Sequence, residues 1–538
     1  MEDLEKFNVQ SLKFKVKNMR INKILTLTLS LLFFSFVSFS QDKRTIETKV
    51  ADLLAQFPAN DLRYSDKLMG DMLSLGEQGI AKICDQIMPS GTADDTRPRY
   101  AVESLSRFLS QGGKENEKVM WEKICISFAI QSKDSGIIDF FIKQLQMIGG
   151  DQSVEALKVY LTEKDNCYPA IAALTAIGGE RAEHMLAESL KSRDLPCADA
   201  VMNALAAMKS KEAVNEYIFW ASDQNLNTKA SAYNALAQSG SPVAFPVLMN
   251  AAKRNLYRWE STGATASLLN YAKVTGQNGD VKTADKICKL LISKCNDKLN
   301  IQNKTAALEI YAAFHGIDAM PYILKAAGHS DSRYRNAAIN MSASFPGAEP
   351  VKKWINYFPK AIPAAKPEIL RMLGSRGDRQ ALPVIISSLS NADPSVRSEA
   401  AMAIAKLSGK EAVPSLIDYI MKFNDTSDQE AAVSALKSVS GNDEILLLRS
   451  VLKDGSPAAK KSSIDLIAWN MNNKLFPDIF PYTSSPDEQV RASAFKALVS
   501  LAGPGDQERL INLLSATDNP EYISGIQNAL AVAADETA

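Results

Sequence analysis

The chain has 538 residues, 46% of them hydrophobic, 23% charged and 7% aromatic, which are globular proportions that supply a large core. Lysine plus arginine and aspartate plus glutamate both number 61, so the formal net charge is zero. That balance argues against bulk attraction to nucleic acid or to an anionic membrane surface.

Residues 1–18 carry mixed charge ahead of Met19 and read as an over-extended gene start, disordered in the protein. Residues 19–40 read as a secretory signal peptide. Met19, Arg20 and Lys23 form a positive leader, 24–39 is uncharged and rich in Leu, Phe and Ser, and Ser38-Phe39-Ser40 fits a small-x-small cleavage site before Gln41. The run is shorter than the roughly 20 apolar residues of a membrane span and is diluted by Ser and Thr. The expected product is an exported bacterial protein, periplasmic or extracellular, with no stable membrane insertion after cleavage. The first 40 residues hold six basic and three acidic groups, which leaves 55 and 58 in 41–538, a net charge of −3.

Residues 41–164 are expected to form divergent helical repeats, with apolar residues at three-to-four spacing in 80–88, 100–109 and 121–130. Residues 165–538 carry clearer repeats, and 41–538 is read as one continuous solenoid. Leu174, Leu205 and Leu236 are spaced by 31 residues, as are Ala182, Ala213 and Ala244. Each unit reads as a helix ending near the Leu, a turn at Gly178-Gly179, Lys209-Ser210 or Gly240-Ser241-Pro242, and a helix starting at the Ala. Cys167 and Cys197 fall at near-equivalent places in successive repeats, so a bridge is open to them, but buried thiols are the favoured reading. Cys288 and Cys295 lie two turns apart in one helical run, roughly 10 Å, which is too far to bond. Residues 280–294 and 301–314 suit a longer, divergent helix pair.

Further on, one phrase recurs. Asp331, Asp393 and Asp487 each stand four residues before an arginine (Arg335, Arg397, Arg491) and seven before an alanine (Ala338, Ala400, Ala494). Asp393 is a natural N-cap and Pro394 suits the first helical position. Arg397 can reach an Asp in its own or the adjacent unit, and Ala400 is small enough to permit close helix approach. Around Asp393, a first helix is expected over 381–390 and a second over 395–407. A pair this small cannot bury its apolar face alone, so successive pairs stack into one core, about a dozen in all.

These residues, Asp393-Pro-x-Val-Arg397-x-x-Ala400 with Ala412-Val-Pro414-x-Leu416, resemble the HEAT-repeat family, specifically the short bacterial units typified by phycobilisome-lyase repeats. The resemblance is strongest over 318–530 and good over 165–250. It implies an all-α, right-handed α-α superhelix (a HEAT/armadillo-like solenoid) with second helices on the concave face, and binding rather than chemistry. A bilin-lyase role rests on that family label alone. A narrower resemblance, carried by 200–208 and 258–269, is to HEAT arrays of exported bacterial proteins that end in a 3-keto-disaccharide hydrolase domain. No such domain is present within this sequence.

No catalytic constellation stands out. His184, His315 and His329 lack metal-ligand spacing to one another or to Cys and carboxylates, and there is no nucleophile elbow, phosphate loop or dinucleotide fingerprint. No catalytic residue, cofactor or metal is therefore assigned. The Asp/Arg pairs recur at equivalent places, as joints of a stack do and a single reaction centre does not. Arg376-Gly377-Asp378 spells an adhesion tripeptide but sits where an inter-helix turn is expected, and the sequons at Asn303, Asn340 and Asn424 read as chance matches. Two aromatic clusters are candidate interaction surface, Tyr257-Arg258-Trp259 and Trp354 with Tyr357, although core plugs would share their spacing. The leading functional expectation is an exported, non-enzymatic scaffold with a curved surface for a protein partner. The alternative is an accessory array of a carbohydrate-processing enzyme whose catalytic domain is absent from the chain.

Overall fold

The computed structural model describes residues 44–59 and 61–534. The signal peptide expected at 19–40 and the extended start at 1–18 lie outside the described residues. Among the described residues every regular element is an α-helix or a 3-10 turn. The chain forms two compact units, one ending at Cys197 and one beginning at Ala198.

Local chemistry sets the helix starts. The Asp393 carboxylate accepts the Ser395 N–H at 2.9 Å and opens Pro394–Ser408, with Pro394 in the first turn. Asp331 accepts the Arg333 and Tyr334 N–H groups at 3.0 and 3.2 Å and opens Ser332–Met341. Asp487 accepts the Val490 N–H at 3.0 Å and opens Glu488–Leu501. One stop shows why glycine is needed there: Gly240 ends Leu226–Ser239 with φ +58°, and a Cβ on it would also fall 2.8 Å from the Asn278 amide nitrogen.

In the second unit these helices form a continuous layer. Ala198–Ala207, Leu226–Ser239, Ala264–Gln277, Ile301–His315, Ser332–Met341 and Ala365–Arg376 each touch the next, and the series runs on through Pro394–Ser408, Thr426–Val439, Pro457–Asn470 and Glu488–Leu501 to Pro520–Ala534. A second layer of mostly shorter helices, among them Met320–Ala326, Leu382–Ser388 and Val413–Lys422, packs against it. The fold is a solenoid of stacked helix pairs, because each pair buries its apolar stripe only against its neighbours. Ala338, Ala400 and Ala494 are all fully buried. In the first unit, Thr96–Leu109, Ser135–Ile148 and Cys167–Ile177 stack in the same way.

The helix expected over 381–390 is Leu382–Ser388, entered through a 3-10 turn at Arg379–Ala381. Pro383 lies in the first helical turn, where its missing N–H costs nothing, while the Ala381 N–H bonds back to the Asp378 carbonyl at 3.0 Å. Cys167 and Cys197 are not thiols: they form a disulfide across 30 residues, with Cα atoms 6.2 Å apart. Successive repeats bring equivalent positions within bonding reach. Cys84, Cys125, Cys288 and Cys295 are free and buried.

Candidate interaction surface

Two of the three recurring arginines, Arg335 and Arg397, are buried joint residues. Arg397 donates to Asp428 (Nε–Oδ1 3.1 Å, Nη2–Oδ2 2.5 Å), to Asp425 at 3.2 Å, and to the carbonyls of Asn391 and Ala392, both at 3.0 Å. Its guanidinium also lies 4.2 Å from the centre of the Phe423 ring. The Tyr419 hydroxyl donates to Asp428, and burial together with that hydrogen bond pushes its ionisation upward, so it remains a donor. Arg335 makes the equivalent reach to Glu368 at 2.6 and 2.7 Å and to the His329 carbonyl at 2.9 Å. Each arginine thus ties its own turn to the following repeat. Arg491 departs from the pattern: it bonds the Ser485 carbonyl at 2.6 Å and pairs with Glu488 in its own helix. The aspartates of the motif do not pair with these arginines. They cap helices, and Asp331 binds Arg333 instead, at 2.9 Å.

A joint that sequence reasoning missed is Glu122, buried in the first unit. Its carboxylate accepts the N–H groups of Gly150 and Ser153 at 2.7 and 3.0 Å and the Ser153 hydroxyl at 2.7 Å. It therefore caps Asp151–Leu157 from a different helix. Only its unusual place among the apolar residues of Glu115–Gln131 could have signalled this.

The adhesion spelling is absorbed by the fold. Arg376 donates to the carbonyls of Ser342, Ala343 and Gly347 at 3.3, 2.8 and 2.5 Å. Gly377 is a left-handed C-cap and Asp378 caps the next turn. His315 is bonded to Asp285 at 2.6 Å, and the His329 Nδ1 accepts the Asp331 N–H at 3.0 Å. Among the described residues no group of His, Cys, Asp or Glu could hold a metal ion, and no helix is long and apolar enough to cross a membrane.

The two aromatic clusters separate. Trp354 is a core side chain, fully buried, with its indole N–H on the Ser342 hydroxyl at 2.8 Å. It cannot belong to an interaction surface, because its helix turns that face into the stack. Tyr357, one turn on, is half-buried beside a shallow groove with Lys353 and Lys360.

Trp259 is the opposite case, 80% exposed, with Leu256 and Leu299 each 60% exposed. The loop that carries it is held in place. Leu256 and Tyr257 take φ values of +52° and +56°, a conformation unfavourable for bulky residues. The Asn300 and Asn303 amides donate to the Leu256 and Tyr257 carbonyls at 3.3 and 2.7 Å. Arg258 pairs with Asp297 at 2.9 Å. Glu260 accepts the N–H groups of Thr262 and Ala264 and the Thr262 hydroxyl, at 2.6, 2.6 and 2.7 Å. The brace at 297–303 carries Leu299, next in sequence to the Asn300 that holds the Leu256 carbonyl.

A second exposed feature lies on the long-helix layer. A groove of about 490 Å³ is bounded by Gln429, Lys437, Lys461 and Asp465 on Thr426–Val439 and Pro457–Asn470. Half-exposed Trp469 stands near it, with the Lys437 ammonium 5.4 Å from the ring centre.

Residues 351–437 match the family model described as HEAT repeats. Among solved structures, the karyopherin Kap121p is similar at a TM-score of 0.44 and 14% identity, over 88% of this chain and 59% of its own. This chain therefore spans less than two thirds of that protein's length. A homology model of the AP-3 complex aligns at 0.38 and 13%, over 90% of this chain and 94% of that one. The CpcE–CpcF complex of phycocyanin lyase from Nostoc sp. PCC7120 aligns at 0.22 and 18%, over 39% and 92%. No curated protein matches the sequence.

Proposed function

We propose that this chain is an exported, non-catalytic HEAT-repeat scaffold whose partner is a protein that buries Trp259. The observation that carries the reading is the exposure of Trp259 on a loop with two bulky left-handed residues and at least six bracing side-chain bonds. An unfavourable backbone persists where its surroundings over-determine it, and such places cluster at functional sites. An exposed tryptophan presented by a braced loop that also carries exposed Leu256 is the chemistry of an interface anchor, since large apolar area is buried there with little backbone entropy left to lose. The HEAT-repeat match over 351–437 supports the scaffold reading. The Cys167–Cys197 disulfide supports export, because such bonds persist in oxidising compartments. No feature of the described residues favours the carbohydrate-processing alternative.

The test is affinity capture from the extracytoplasmic fraction, with wild type beside Trp259→Ala and Leu256→Ser. Specific capture that disappears in both variants while their melting is unchanged would sustain the reading. An identical captured set would remove Trp259 from the interface. For export, unreduced denatured protein recovered from its own cell should expose four alkylatable thiols. Six reactive thiols and a cytoplasmic location would overturn that part.

A further inference from the structure

Beside the braced loop, still within the second unit, a pocket of about 540 Å³ opens between Val281–Lys294, Ile301–His315, Met320–Ala326 and Ser332–Met341. Lys289, Lys304, Lys325, His329, Tyr322 and Tyr334 line it, and its lining contains no carboxylate. The volume is that of a small-molecule site.

Lys304 is the residue that requires explanation. It is only 8% exposed, yet among the described residues neither it nor Lys325 is paired with a carboxylate. Its ammonium has one polar partner, the Asn296 carboxamide oxygen at 2.7 Å, and lies 5.1 Å from the centre of the Tyr334 ring. Asn296 is itself oriented, since its amide donates to the Ser293 carbonyl at 2.7 Å. The surrounding acids are engaged elsewhere: Asp285 by Lys289 at 3.0 Å and His315 at 2.6 Å, Asp331 by Arg333, Glu368 by Arg335. Burial pulls the Lys304 ammonium below the ordinary lysine range, and the charge of Lys325 acts in the same direction. His329 accepts a backbone N–H at Nδ1, which leaves Nε2–H as a further donor.

A buried ammonium with one neutral acceptor is an incomplete arrangement, because lysine offers three donors and its charge lacks a counter-ion. We propose that this pocket binds a small phosphate monoester, with its oxyanion against the Lys304 and Lys325 ammonium groups and its ring body on Tyr322 and Tyr334. Two ammonium groups without an acid, Lys304 and Lys325, match a dianion better than a monoanion, while Lys289 is already paired with Asp285, and the two phenols supply an apolar wall for a ring. The pocket lining includes neither Trp259 nor Leu256 nor Leu299.

Isothermal titration of the full chain at low salt should show saturable one-site binding of phenyl phosphate, about tenfold tighter than inorganic phosphate. Lys304→Met and Lys325→Met should each weaken it by at least about tenfold. Lys304→Met should melt no lower than wild type without ligand, since it removes an uncompensated buried charge, so a lost signal would not reflect misfolding. No saturable heat up to about 10 mM phenyl phosphate, or unchanged affinity in Lys304→Met, would overturn the proposal. Binding of glucuronate but not of phenyl phosphate would also overturn it, by assigning the pocket to carboxylates.

Discussion

Arg397 reaches across a repeat joint to Asp428, 31 residues ahead, and both side chains are almost completely buried where they meet. Removing one partner leaves the other charged and dry, and that costs far more than an exposed ion pair contributes. Asp428→Ala should lose about 3–5 kcal/mol of unfolding free energy in urea titration. Arg491→Met should lose only about 1 kcal/mol, because Arg491 bonds its own turn and the exposed Glu488. Equal losses would show that the Arg397 joint is not specially desolvated.

Close helix approach makes a second joint sensitive. A Cβ on Gly374 would fall 2.7 Å from the Ala403 Cα, backbone that cannot step aside. Gly374→Ala should therefore destabilise by ~1–3 kcal/mol through overpacking, although the same change in a free helix is favourable by about 1 kcal/mol. A raised melting temperature would mean that the two helices stand further apart.

The Trp259 loop offers the reverse case. Leu256 is exposed and left-handed, so its side chain contributes little and its backbone is strained. Leu256→Gly should stabilise the protein by about 1 kcal/mol. A fall in melting temperature would show that Leu256 packs on the fold.

Asp331 links a cap to pH. The Arg333 guanidinium, assisted by backbone N–H groups, holds its carboxyl down at about 2, below the ordinary value. A depressed carboxyl contributes stability that is complete above its unfolded value and is lost as pH falls through the folded one. Asp331→Ala should cost about 1 kcal/mol at neutral pH. The difference between variant and wild type should shrink as pH falls from about 4 to about 2. A difference independent of pH would place the effect in packing rather than in the charged cap.

Asp331, Asp393 and Asp487 stand immediately before the helices they cap, and the 31-residue step of Leu174, Leu205 and Leu236 marks successive pairs. Caps, turns and apolar periodicity act within a few residues of each other, so helix class, repeat length and stacking could be read along the chain. What each side chain meets across a joint could not. Arg397 and Arg491 share a motif, yet one finds a buried acid in the next repeat and the other an acid in its own helix. Trp259 and Trp354 stand in similar aromatic and basic surroundings, yet one is exposed and the other fills the core. Their fates depend on the phase of a helix against its neighbour and on braces 39 to 46 residues away. The Lys304 pocket gathers residues from four helices whose separate spacings carry no sign of it. Contacts so distant in sequence leave no periodic trace, and they come into being only when the pairs stack.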